Sequence, residues 1–215
     1  MRQKDEKRRM SSIMAPGSYR RIAFLCLLSL GVPTLHGCVV VAAGGAVLGV
    51  AHDRRGGDVL INDRRTQLGI TDAINRDKGI VHNNYRVKAV VYNGQVLLVG
   101  QVESAATKQR AQGIAEQIEG AQHVVNELEI TAEPYGFWHR REDNALSARV
   151  KTALLDITSM PGFDATRVNV TSANHTVYLM GIVSHEEGDA ATEIARNVGG
   201  VDKVVKLFEY REPDA

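Results

Sequence analysis

"YRVKAVVYNGQVLLVGQV" runs from Tyr85 to Val102, and "TRVNVTSANHTVYLMGIV" runs from Thr166 to Val183. Laid over one another, Arg86-Val87 falls on Arg167-Val168, Asn93 on Asn174 and Gly100 on Gly181, each 81 positions on. A one-residue deletion then changes the offset to 80. Ala111, Ile114, Ala115 and Ile118 match Ala191, Ile194, Ala195 and Val198, Gly120 matches Gly200, and Val124-Val125 matches Val204-Val205. Upstream, Ile70, Ala73 and Ile74 match Val150, Ala153 and Leu154. The chain therefore holds one unit twice, over roughly 66–131 and 142–210.

Each unit reads helix, strand, strand, helix, strand. The opening helix has apolar residues at Leu68, Ile70 and Ile74, or at Leu146, Val150, Ala153 and Leu154 with cleaner helical spacing. Val87, Ala89 and Val91 alternate along the first strand, and Asn93-Gly94 is a two-residue hairpin turn. In the second copy His175 replaces the turn glycine, which predicts a looser turn. Ser184-His185-Glu186-Glu187 has the pattern of a capping box, opening a helix whose narrow Ala-rich face suits close packing on a sheet. Gly199-Gly200 ends it. The fold class expected is α+β: two tandem αββαβ domains, each a small three-stranded mixed sheet packed against two helices. A lone unit of about 65 residues buries little core, so packing of the copies on each other, or of one on a membrane, would help both. Residues 132–141, with Pro134 and Gly136, form the linker, and 211–215 a short tail.

The N-terminus has a separate logic. Residues 2–21 carry seven Lys or Arg against Asp5 and Glu6, and a short apolar run follows from Ile22 to Val32. A basic segment, an apolar segment of about 7–15 residues and a small residue before a break describe an export signal. Met10 and Met14 are alternative starts; Met14 would leave a shorter basic region. Pro33 and His36 interrupt the apolar stretch, whereas a membrane span needs about 20 consecutive apolar residues. The segment closes on Leu35-His36-Gly37-Cys38 and resembles a bacterial lipobox in Leu35, Gly37 and Cys38. The resemblance implies a signal over 1–37, cleavage before Cys38 and acylation of that residue. It also implies sorting to the outer membrane, because Val39 and not Asp follows. Residues 38–65, rich in Gly, Ala and Val, are then the tether. Cys26 goes with the signal, leaving no disulfide.

Seven basic and two acidic residues leave with residues 1–37. The formal charge of +1 becomes about −4, from 19 Lys+Arg against 23 Asp+Glu. A global basic field is absent, which excludes nucleic acid as a partner of the kind that reads charge. His82, His123, His139, His175 and His185 show no metal-ligand spacing, so no metal and no cofactor are expected. No nucleophile elbow or phosphate loop is present, which argues against an enzyme.

Val87, Asn93-Gly94, Val96, Leu98, Gly100, Ala111, Ile114-Ala115, Gly120 and Val124-Val125-Asn126 together resemble the BON domain (bacterial OsmY and nodulation), with the same frame in the second copy. With the lipobox, the chain looks like the dual-BON outer-membrane lipoproteins of Gram-negative bacteria. The resemblance implies a periplasm-facing, lipid-anchored protein without catalysis, which contacts anionic phospholipid such as phosphatidylglycerol or cardiolipin and supports the outer-membrane barrier and envelope stress resistance. It implies binding through the opening helix of the second copy, with an aromatic near its start. Ala145 and Leu146 stand at that position, so the aromatic is displaced; Phe137 and Trp138 lie about two turns earlier. Phe137, Trp138, Arg141, Leu146, Arg149 and Lys151 are the candidate phospholipid-binding residues, aromatics for the headgroup level and cations for anionic lipid. The alternative is an adaptor that docks envelope protein partners, in outer-membrane assembly or peptidoglycan remodelling, with incidental lipid contact.

Overall fold

The computed structural model describes residues 54–155, 157 and 163–211. The expected export signal, the expected acylation site Cys38 and the expected tether as far as Asp53 lie outside the described residues.

The first domain consists of α1 (Gly57–Arg76), β1 (Arg86–Tyr92), β2 (Gln95–Val102), α2 (Ala105–Glu116), β3 (His123–Asn126) and β4 (Glu129–Ile130). The second consists of α3 (Phe137–Leu155), a short 3-10 turn (Ala165–Arg167), β5 (Asn169–Ala173), β6 (Thr176–Val183), α4 (His185–Arg196) and β7 (Lys203–Tyr210). β1 runs antiparallel to β2, with Val91 opposite Val96, and β3 and β4 both run parallel to β2. The second sheet repeats this as β5, β6 and β7. The first sheet has four strands where three were expected, because Asn126 interrupts the last one. Its amide donates to Lys108 O at 2.9 Å and its side-chain oxygen accepts from Leu128 N at 3.3 Å. The chain turns there and Leu128, 2 % exposed, enters the core. Lys206 and Phe208 occupy the matching positions of β7, which is unbroken.

Both opening helices begin earlier than the apolar pattern indicated, at the matched positions Gly57 and Phe137. The expected tether therefore ends in two turns of helix, and half of the expected linker belongs to α3. The capping box of α4 is present: Glu187 N donates to Ser184 Oγ and Ser184 N donates to the Glu187 carboxylate. His175 does not loosen its turn. Asn174 and His175 adopt φ of 46° and 58°, the left-handed conformation of Asn93 and Gly94.

The helices lie on the outer faces and the sheets meet in the middle. Ile70, Ile74, Ala111 and Ala115 pack on Ala89, Val91, Val96 and Leu98. Leu146, Val150, Leu154, Ala191 and Ala195 pack on Val177, Leu179 and Val183. The alternate residues of both sheets form a third cluster between the domains: Val90, Tyr92, Leu97 and Val99 from the first, Tyr178 and Met180 from the second. Hairpin tips cross this seam reciprocally. Asn93 Nδ2 donates to Glu209 Oε2 at 2.5 Å, and Asn174 Nδ2 donates to Glu129 Oε2 at 3.1 Å. Asn93 matches Asn174 and Glu129 matches Glu209 in the repeat, so the contacts are those of a two-fold arrangement inside one chain.

Gly100 lets β1 and β2 approach. Its φ is +118°, and a Cβ there would lie 2.2 Å from Arg86 O. Gly100→Ala should lower stability by at least about 1–3 kcal/mol through backbone strain, read as a lower urea midpoint at unchanged m-value.

Candidate functional site

The start of α3 carries the most exposed aromatic surface of the described residues. Phe137 is 57 % and Trp138 70 % exposed, and their rings meet edge to face at 5.6 Å. The Arg141 guanidinium lies 5.6 Å from both ring centroids. The sequence places the rings outward for a local reason. The buried stripe of this helix is Leu146, Val150 and Leu154, and Phe137 and Trp138 in its first turn lie outside that stripe. The linker before them is held down. Tyr135 N donates to Gln101 Oε1 at 2.6 Å, Tyr135 OH donates to Glu129, and Arg140 donates to Tyr135 O. The unpaired amides of a helix start add partial positive charge to that of Arg141 and the exposed Arg140.

Three of the six residues expected to touch lipid come together here: Phe137, Trp138 and Arg141. The other three do not join them. Leu146 is 2 % exposed in the second core, because the position matched to a lipid contact falls on the buried stripe. Lys151 donates to Ala165 O and Val168 O at 2.5 and 2.6 Å, holding the 3-10 turn. Burial pushes its ammonium below the usual range, and the charge of Asp164 partly opposes that. Arg149 is exposed but its guanidinium donates to Gly199 O at 3.3 Å, on the side of the α4 terminus.

A second set of polar contacts escaped the sequence reading. Asp63 is 6 % exposed and accepts from Asn93 N at 2.7 Å and Gly94 N at 2.9 Å, capping the left-handed turn. Asp143, 80 positions on, accepts from His175 N at 3.4 Å. This matched aspartate pair was the available signal. Arg55 pairs with Asp63 at 2.7 Å and stacks 3.8 Å above the Tyr92 ring. Arg54 reaches the other domain, bonding Ile182 O at 2.9 Å and the Glu187 carboxylate at 2.6 and 3.1 Å. Arg167 also pairs with Glu187. The segment entering α1 is thus fastened to both domains, and the chain from the N-terminus arrives at a fixed place on the seam.

Burial alone would raise the Glu187 carboxyl, but hydrogen bonds from Arg54 and the Ser184 amide, with the charges of Arg54 and Arg167, outweigh it and hold it below its ordinary value. Such a group stabilises the fold above its unfolded value, and that contribution is lost as pH falls through the lower folded value. The denaturation midpoint should fall as pH drops below 4.5. Glu187→Gln should cost about 1–3 kcal/mol at neutral pH and flatten that acid limb.

Among the described residues no group of His, Cys, Asp and Glu is placed to hold a metal ion, and no helix is long and apolar enough to cross a membrane. A family model described as the BON domain matches residues 62–132 and 142–212. The chain is 35 % identical over 178 residues to "Outer membrane lipoprotein DolP" of Haemophilus influenzae, covering 82 % of this chain and 90 % of that one. It is 37 % identical over 125 residues to "21 kDa hemolysin" of Actinobacillus pleuropneumoniae, covering 58 % of this chain and 62 % of that one. Among solved structures, the C-terminal domain of CdsD, a structural protein of the type III secretion system of Chlamydia trachomatis, overlaps 67 % of this chain and 96 % of its own at 14 % identity, with a TM-score of 0.25.

Proposed function

The chain belongs to the BON-domain family, and from that premise we propose that it is a non-enzymatic outer-membrane lipoprotein, acylated at Cys38 and facing the periplasm, that contacts anionic phospholipid through the start of α3. The observation that carries the lipid contact is the Phe137–Trp138 pair, two large rings left in solvent at a helix start with Arg141 over both. Aromatic rings favour the headgroup level and guanidinium groups favour anionic lipid, so this is the composition of an interfacial anchor. The printed name of the Haemophilus influenzae relative supports the location.

Magnitudes assign different work to the two attachments. Acyl chains contribute about 0.8 kcal/mol per buried CH₂ and hold the protein on the membrane. A basic residue near an anionic surface adds about 1 kcal/mol. The α3 patch therefore does not decide whether the protein stays on the membrane; it selects lipid environment and sets which side of the tethered body faces the bilayer.

The test uses a form beginning at Val39, so that no acyl anchor contributes, sedimented with vesicles. It should bind vesicles containing phosphatidylglycerol or cardiolipin more tightly than phosphatidylcholine vesicles. Trp138→Ala should weaken that by roughly 5–30-fold, from the loss of about 1–2 kcal/mol of apolar burial, and Arg141→Ala by about five-fold. Leu146 substitutions should act on stability instead. Equal binding to neutral and anionic vesicles contradicts the lipid reading.

A further inference from the structure

The two domains meet along two matched seams, and only one is filled by the chain itself. At the filled seam the Arg55 guanidinium sits between Asp63 and the Tyr92 ring. The repeat carries Asp63 onto Asp143, Tyr92 onto Ala173 and Arg55 onto Tyr135. At the second seam the Tyr92 ring and the Arg55 guanidinium therefore have no counterpart at their own repeat positions, while the carboxylate remains. A cavity of about 240 Å³ stands there, lined by Asp143, Glu127, Glu129, Tyr135, Ala173 and Tyr178 among others.

Three carboxylates and two guanidinium groups line this cavity, and the ammonium of Lys88 feels the charge of Asp143. Among the described residues, Asp143, Glu127 and Glu129 make no ion pair. Arg86 and Arg140 also line it, but Arg86 donates to Tyr85 O at 2.7 Å and Arg140 to Tyr135 O at 2.9 Å. Tyr178, 4 % exposed, reports the same field. Burial, the charge and hydrogen bond of Glu127, and the charges of Glu129 and Asp143 push its hydroxyl up to about 12. Leu97 stands at the matched position of the filled seam, so a phenol ring stands where the first copy has an aliphatic side chain.

We propose that this inter-domain cavity receives the side chain of an arginine presented by another protein, held by Asp143 and Glu127 as Asp63 holds Arg55 in the matched seam. The molecule supplies its own comparison: the same repeat position already binds a guanidinium once. In the form cleaved before Cys38, a point taken from the proposed function, the occupant must come from another chain, because residues 39–53, 156–162 and 212–215 contain no Arg or Lys. A planar guanidinium also suits the carboxylates better than an ammonium, since it can pair with two oxygens at once. This site is separate from the Phe137–Trp138 patch and does not depend on the lipid reading.

The experiment titrates the full chain, in maltoside micelles, with N-acetyl-argininamide and, separately, with the neutral isostere N-acetyl-citrullinamide, following backbone amide shifts by NMR. The cation should give saturable shifts centred on Asp143, Ala173 to Thr176 and Tyr178, with a dissociation constant on the order of millimolar for so small a probe. The citrulline compound should give none there. Asp143→Asn and Glu127→Gln should each weaken the cation by about five-fold or more with the rest of the spectrum unchanged. If Asp143→Asn does not fold, Glu127→Gln and the pair of probes decide. Absence of saturable shifts, equal shifts with citrulline, or shifts centred elsewhere overturn the proposal.

Discussion

The described residues are arranged around a sheet packed on a sheet. Val90, Tyr92, Leu97 and Val99 meet Tyr178 and Met180 in a cluster that belongs to neither domain alone. Each fully buried side chain of this size contributes about 1.5–3 kcal/mol, and small domains have little else in reserve. Once the sheets face inward, the helices must lie outside, and the start of α3 is left with its rings in solvent. A different packing of the two copies would cover Phe137 and Trp138 or turn them elsewhere. The exposed aromatic surface is thus a consequence of the inter-domain contact more than of α3 itself.

The two-fold arrangement is broken where the chain has to connect. Before the first domain comes the segment entering α1, and before the second comes the linker. The segment entering α1 brings Arg54 and Arg55, which fasten to Glu187 and Asp63. The linker brings Tyr135, which fastens to Gln101 and Glu129. One seam is closed by cations from the same chain and the other keeps its carboxylates. Duplication has given two equivalent positions, and small differences such as Tyr92 against Ala173 have made them unlike.

Much of this was legible in the residues. The repeat gave the element order, the hairpins and the capping box, because those depend on local turn chemistry and on periodicity. The extra strand was not legible. It follows from the Asn126 side chain competing with the ladder, which pattern alone does not show. Nor were the helix starts at Gly57 and Phe137, since those turns carry no apolar stripe. The run "VLLV" from Val96 to Val99 holds the sign of a strand buried on both faces, whereas the alternation of Val87, Ala89 and Val91 on the neighbouring strand points to one buried face only. At the site, residue type identified the aromatic–arginine cluster. Which of the six candidates reached it depended on helical phase, and Leu146 and Lys151 fell on the inward and flanking sides.

The measurement that bears most directly on this account is calorimetric unfolding of the chain from Val39, with the inter-domain face altered by Met180→Glu. Met180 is fully buried in the cluster between the sheets. The wild type should melt in one transition whose calorimetric and van't Hoff enthalpies agree, and the variant should separate into two weaker ones. Two independent transitions in the wild type, or a variant that melts like it, would contradict the arrangement from which the surface of α3 follows.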